Sequence, residues 1–215
     1  MKSKKPIIKR RNKEVTRKKI LDTAFWLFYN KSFNDVSIDD ITKVAGITKG
    51  ALFHYFPNKK ELGYAVVDEV LKPITIEKWI KPLEKFDNAL EGILSCIDTH
   101  MIHSPKEYIP LGCPLNNLIQ EVSNTDPIFR KKLSEVLDIW IDGINMHLKR
   151  SQKLGYIHKN QNIKFLAKFI VSSQEGAYGM SKGYQNSEIF KTLYESLEKY
   201  FQSISTTHQP KHREP

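Results

Sequence analysis

"SIDDITKVAGITKGALFHYFPNKKEL", residues 37–62, is the stretch whose reading decides the fold. Ser37 stands where a helix N-cap is needed, and Asp39 and Asp40 fall in the first turn, where the helix dipole favours negative charge. Ile38, Ile41, Val44 and Ala45 then recur as an inner apolar face, and Gly46 ends the helix as a residue free to adopt positive φ. Thr48 is placed to cap a very short second helix, its hydroxyl accepting from the Ala51 backbone N–H, before Pro57 interrupts the chain. Asn58 and Glu61 form a variant capping box at the head of the next helix. A helix, a tight Gly46–Ile47 turn and a short second helix make a helix-turn-helix by spacing.

The second of these helices carries the chemistry. With Leu52 turned to the core and Ile47 nearby, Lys49, Gly50, Phe53 and His54 occupy the outer arc, and a DNA major groove is wide enough to admit it. Lys49 suits guanine O6 or N7, or a phosphate. Ala51 and Phe53 suit thymine methyl groups, and His54 a base edge or phosphate. Gly50 lets the backbone approach closely. Ser37, Thr48, Lys59 and Lys60 flank this arc at helix starts, and Tyr55 flanks it at the end of the short helix, where phosphate oxygens are expected to bind. Phe56 is assigned to the core.

Outward from the motif, nearly every periodic stretch has helical spacing, so the fold class is all-α: an N-terminal three-helix unit followed by a larger helical body. Ile20, Ala24, Leu27 and Phe28 mark a first helix over about 13–30, and a fourth helix is expected from Asn58 toward Leu71. Asp126 followed by Pro127 opens a long helix through Phe129, Leu133, Trp140, Ile144 and Leu148, ended by Gly155. Two further helices are expected over about 163–182 and 187–204. The apolar face of the last one packs either on an intramolecular neighbour or on a second copy of the chain, and spacing does not decide between them. The expected domains are a disordered basic arm over 1–13, a DNA-binding domain over 14–62, a helical body over 63–204 and a disordered tail over 205–215.

Charge supports the same division. The net charge is +10, and residues 1–60 hold 15 Lys and Arg against 5 Asp and Glu, so the whole excess lies in the first quarter of the chain. That is the composition of a polyanion-binding end on a neutral body. Two cysteines, Cys96 and Cys113, offer neither a disulfide framework nor a zinc site, and the reading is a reducing cytoplasmic compartment. The basic start lacks the apolar stretch of a signal peptide, and no membrane span is expected. Nothing matches a phosphate loop, a nucleophile elbow or a metal-spaced cluster, so neither an enzyme, a metal nor a cofactor is expected.

"VTRKKILDTAFWLFYNKSFNDVSIDDITKVAGITKGALFHYFPNKKEL", residues 15–62, closely resembles the N-terminal domain of the TetR family of transcriptional regulators. It departs from the family pattern at Lys31-Ser32, where a glycine is usual, and at "FHYF", where "YYHF" or "YHHF" is commoner. "GCPLNNLIQEVSNTDPIFRKKL" and "EGAYGMSKGYQN" look like a C-terminal subtype of the same family. The resemblance implies a homodimer joined through its last two helices and a pocket for an unknown small-molecule effector. It also implies a palindromic operator with half-sites roughly 34 Å apart, or a multiple of that. Repression is the family default; an activator, or an architectural DNA binder without a ligand, is the alternative.

In that pocket Met101, Trp140, Ile144, Phe169 and Tyr178 would give apolar contact, and Asn117, Gln120 and Gln174 would orient the ligand. Cys113 has two readings. It is either an inert buried thiol, or a sensor of electrophiles whose thiolate is favoured by a helix start and by Lys182.

Overall fold

The computed structural model describes residues 5–206 and is built of helices: α1 (Lys5–Lys31), α2 (Ile38–Ala45), α3 (Lys49–Tyr55), α4 (Lys59–Val66), α5 (Lys72–Trp79), α6 (Ala89–Ile97), α7 (Pro114–Val122), α8 (Pro127–Leu154), α9 (Ile163–Tyr184) and α10 (Glu188–Ile204). Among the described residues no strand occurs, only an isolated antiparallel bridge between Ile157 and Ser205. None of these helices is long and apolar enough to cross a membrane.

Several boundaries differ from the sequence reading. α1 starts at Lys5, so most of the expected arm is helical; Pro6 falls in the first turn, where a missing N–H leaves no bond unmade. The remainder of that arm, residues 1–4, lies outside the described residues, as does 207–215 of the expected tail. Ser205 and Thr206 are tied down: their backbone N–H groups donate to Phe201 O at 2.9 Å and to Tyr156 O at 3.1 Å. The helix that starts at Lys59 does not reach Leu71 in α form. It widens into a π-type turn over Val67–Leu71, with the Lys72 N–H donating to Val67 O, and resumes as α5. Pro73 has no N–H to give to the preceding turn, which is where a ladder shifts register.

The chain forms two compact units. The first takes residues 1–74 together with 114–135, so it extends past the expected boundary at residue 62 and includes α7 and the start of α8. The second takes residues 75–113 and 136–215. In the first unit the buried face of α1 (Ile20, Leu21, Ala24, Phe25, Phe28) belongs to one core with Ile41, Ala45, Leu52, Phe56 and Leu62. Phe129 of α8 is a wedge in that core, its ring 5.0 Å from Phe33 and 4.7 Å from Tyr64, both edge-on. Gly63 makes room for it, since a Cβ there would stand 2.5 Å from Phe129 Cζ.

Beside the wedge lies Asp126, a buried carboxylate with four donors. One oxygen caps α8 through the N–H groups of Ile128 at 3.0 Å and Phe129 at 3.1 Å; the other accepts from Lys60 Nζ at 2.9 Å and Tyr64 Oη at 2.8 Å. The Lys60 hydrogen bond, with the cap and the Tyr64 bond behind it, holds this carboxyl down at about 2. Desolvation first, then the Asp126 contact, pushes the Tyr64 phenol up to about 12.

In the second unit Trp79 stacks on Trp140 with centroids 5.3 Å apart, and Gly143 admits the Ile80 side chain. The hydroxyl of Ser151 accepts from Ala89 N and donates to Asp87 O, both at 2.7 Å, fixing the start of α6. α9 turns Leu166, Ala167, Ile170, Val171, Gln174 and Ser181 inward.

Because folding depresses the Asp126 pKa, its stabilisation is full above the ordinary carboxyl value near ~4 and is lost as pH falls from there through about 2. Asp126→Asn is therefore expected to be less stable than the parent at neutral pH, with the gap closing across that acid window. Urea denaturation at stepped pH measures both curves.

Candidate nucleic-acid interface

Local chemistry builds the motif. Ser37 Oγ accepts from Asp40 N at 3.1 Å while Asp40 Oδ2 accepts from Ser37 N at 2.9 Å, closing a capping box on α2. Those hydrogen bonds hold the Asp40 carboxyl below its ordinary range. Gly46 takes φ +63°, and the Gly46 and Ile47 N–H groups return to Lys43 O at 3.3 Å and Thr42 O at 3.1 Å. Thr48 Oγ1 accepts from Ala51 N at 3.2 Å, as the sequence predicts.

α3 is pinned by Leu52, which is 0% exposed, and by buried Phe56 after its end. Its other side is open: Thr48, Lys49, Gly50 and His54 are exposed, Phe53 is 45% exposed, and Ala51 and Tyr55 are half-buried. A Cβ at Gly50 would meet nothing within 4 Å, so the missing side chain serves no internal packing there. The His54 and Tyr55 rings meet edge-on at 5.2 Å. Lys49 Nζ lies 2.6 Å from Asp39 Oδ1, with both side chains exposed. Such a pair is worth about 0–1 kcal/mol and is easily traded for a phosphate.

Three assignments change. Lys59 points inward: its Nζ donates to the carbonyls of Phe33 at 3.0 Å, Asn34 at 3.2 Å and Val36 at 3.0 Å, and it lies over the Phe33 ring at 4.8 Å. Lys60 is committed to Asp126. Both therefore organise the fold, because their acceptors come from segments remote in sequence. Val44, assigned to the inner face of α2, is 63% exposed; the buried arc is Ile41, Thr42 and Ala45, which puts Val44 beside the open side of the motif. Ser37 remains exposed, with its hydroxyl engaged by Asp40.

Sequence reasoning missed Arg17, whose guanidinium caps the Phe56 ring at 4.9 Å and pairs with Glu69, its Nη2 donating to Oε1 at 2.7 Å. It also missed Lys19, whose Nζ would lie 4.0 Å from a Cβ at Gly46 and so adds positive charge at the turn. Neither is visible without the packing of α1.

The residues expected around an effector divide. Met101, Trp140, Ile144 and Gln174 are buried in the second unit, and half-buried Tyr178 donates through Oη to His100 O at 3.3 Å. Desolvation, with the Lys78 charge adding to it, keeps the His100 imidazole below its ordinary value. Asn117 and Gln120 belong instead to the first unit, on α7. Phe169 is 49% exposed and sits against Tyr200, ring centroids 5.7 Å apart, on the outer strip of α9. Lys182 is exposed, with its stem over Gly112. Cys113 is buried, and its Sγ donates to Glu175 Oε1 at 3.1 Å, with Lys78 close enough to couple to it electrostatically. Burial pushes the Cys96 thiol up to about 11.

The family model for bacterial regulatory proteins of the tetR family matches residues 20–66, and that for the tetracyclin repressor-like C-terminal domain matches residues 89–197. An uncharacterised HTH-type transcriptional regulator from the lacX 3′ region of Lactococcus lactis is 28% identical over 193 residues, covering 90% of this chain and 96% of its own. The HTH-type transcriptional repressor DhaR of Mycobacterium sp. strain GP1 is 22% identical over 197 residues, 85% of this chain and 94% of its own. In fold, a TetR-family transcriptional regulator from Cytophaga hutchinsonii superposes with a TM-score of 0.80 at 20% identity, over 92% of this chain and 98% of that one.

The exposed Lys49–Asp39 pair yields a direct expectation. Asp39→Asn should leave thermal stability nearly unchanged, a shift of about 1 kcal/mol or less, while tightening duplex binding by freeing Lys49 and removing a negative charge. Calorimetry and fluorescence anisotropy at one salt concentration report the two effects.

Proposed function

Since the chain belongs to the tetR family of bacterial regulatory proteins, which are helix-turn-helix transcriptional regulators and not enzymes, we propose that it is a homodimeric repressor that binds a palindromic operator and leaves it when a small molecule occupies the second unit. The observation that carries the DNA-binding part is α3 itself. Leu52 and Phe56 anchor one side, and Lys49, Gly50, Phe53 and His54 are offered on the other. Lys49 and His54 read base edges, Ala51 and Phe53 meet thymine methyls, and Thr48 and Tyr55 touch the backbone.

Dimerisation is supported by the outer strip of α9 and the neighbouring α10. Phe165, Phe169, Met180, Tyr184 and Tyr200 are exposed there, far more apolar surface than a solvated helix pair needs. Phe169, Ala177, Met180, Leu193, Leu197 and Tyr200 line a groove of about 290 Å³ on this face. A second copy laid across it gives a four-helix contact and two α3 helices in the two-fold arrangement that a palindrome requires.

Effector binding is supported by the buried polar atoms of the second unit. Trp140 Nε1 and Gln174 Oε1 have no hydrogen-bond partner among the described residues. Each such atom costs about 1–3 kcal/mol, so a ligand that accepts from the indole and donates to the amide favours the conformation it binds. Repression accords with the function of DhaR.

Selection of duplexes by the protein from a random-sequence pool tests the reading: a short two-fold-symmetric sequence is expected, and no enrichment would point to an architectural binder instead. On that duplex, Lys49→Ala or His54→Ala should each weaken binding by about 1–3 kcal/mol if the residue reads a base. Separately, Phe169→Asp should convert a dimer to a monomer in sedimentation velocity without loss of helical content.

A further inference from the structure

Between α1 and α2 the chain makes a turn that its own residues do not favour. Ser32 adopts φ +105°, a conformation that is strained for a non-glycine residue and persists only where its surroundings over-determine it. The surroundings do so from both poles of the backbone. Glu121, from α7, accepts the Phe33 N–H on Oε2 at 2.9 Å and the Asn34 N–H on Oε1 at 2.6 Å. Lys59, from α4, takes the carbonyls of Phe33, Asn34 and Val36. The next residue is Ser37, the cap of α2, so the point and direction at which α2 and α3 leave the turn are fixed by this pair of charges.

We propose that Glu121 is a positioning residue for duplex binding: its carboxylate reaches from α7 to hold the α1–α2 turn, and through it the pose in which α3 is presented. The proposal rests on the DNA-binding reading above. Glu121 does not touch DNA in this scheme. It acts through the turn, and it makes DNA affinity answer to α7, the helix on which the chain enters the first unit from Cys113. The strain at Ser32 is what makes the turn dependent on its clamp; a glycine there would hold the same φ without help.

The test uses the full-length protein and the duplex it selects, at a temperature where circular dichroism shows every variant folded. Glu121→Gln keeps the size but sets an amide NH₂ against a backbone N–H. It should bind about tenfold or more weakly, the weight of hydrogen bonds to a charged group. The slope of log affinity against log salt should stay unchanged, because no phosphate contact is removed. Ser32→Gly in the same chain should restore most of the loss, and Val122→Ala, a packing defect on the same helix, should leave affinity unchanged. Glu121→Gln binding as tightly as the parent would overturn the proposal. So would a loss that Val122→Ala shares, a loss that Ser32→Gly does not rescue, or Glu121→Gln unfolding with and without Ser32→Gly. If the parent itself binds no duplex, the functional reading fails first and takes this inference with it.

Discussion

A helix of seven residues has no stability of its own, and everything this chain is proposed to do with DNA depends on α3 being held rigid by its neighbours. Two groups hold it. Thr48 supplies the cap, worth about 1 kcal/mol, and Leu52 supplies a fully buried side chain, worth about 1.5–3 kcal/mol. With one edge fixed in this way, the other edge is free to carry a lysine, a glycine, a phenylalanine and a histidine that no internal packing requires. The frame behind Leu52 is the first unit, where α1, α2, α4 and the start of α8 share one core and where Phe129 and Asp126 lock α8 to α4.

Charge in that unit is used twice. Exposed lysines such as Lys13, Lys18, Lys19, Lys43 and Lys49 give the field that attracts a polyanion. Others, equally basic in the sequence, are drawn into internal contacts: Lys59 by three carbonyls, Arg17 by Glu69 and the Phe56 ring, and Lys60, whose side chain stays exposed, by Asp126. The engaged group stiffens the head that the first group steers, so counting basic residues overstates the number of phosphate contacts while understating how well the remaining ones are oriented. Placing Glu121 and Asp126 in the same frame means that the segment after Cys113 is part of the head, although 51 residues lie between it and Leu62 along the chain.

What was legible in the sequence was what depends on near neighbours. The Ser37, Thr48 and Asp126 caps each join a side chain to a backbone N–H two or three residues away, and the residue type at that spacing announces the bond. The Gly46 turn and the exposed edge of α3 follow from the same local rules. The partners of Lys59, Lys60 and Glu121 lie 23 to 88 residues away, and no spacing rule connects them. Val44 falls outside the buried arc for another reason: an apolar residue beside a helical stripe can sit on either side of it, and the phase of the arc is set by the neighbouring helices. At Cys113 the sequence offers a helix start and Lys182, whereas the hydrogen bond to Glu175 comes from a residue 62 positions away. Ser32 is the instructive departure. The position where a glycine is usual still takes a positive φ, and the fold supplies the clamp that a glycine makes unnecessary.

The central claim, that the open edge of α3 enters the major groove, is tested most directly by dimethyl sulfate protection on the selected duplex, because the reagent reports guanine N7 in the major groove and adenine N3 in the minor groove. The account predicts protected guanine N7 atoms in two symmetric clusters about one helical turn or a multiple of it apart, lost when Lys49 and His54 are both replaced by alanine. Protection confined to adenine N3, or guanine protection that persists in the double variant, would contradict it.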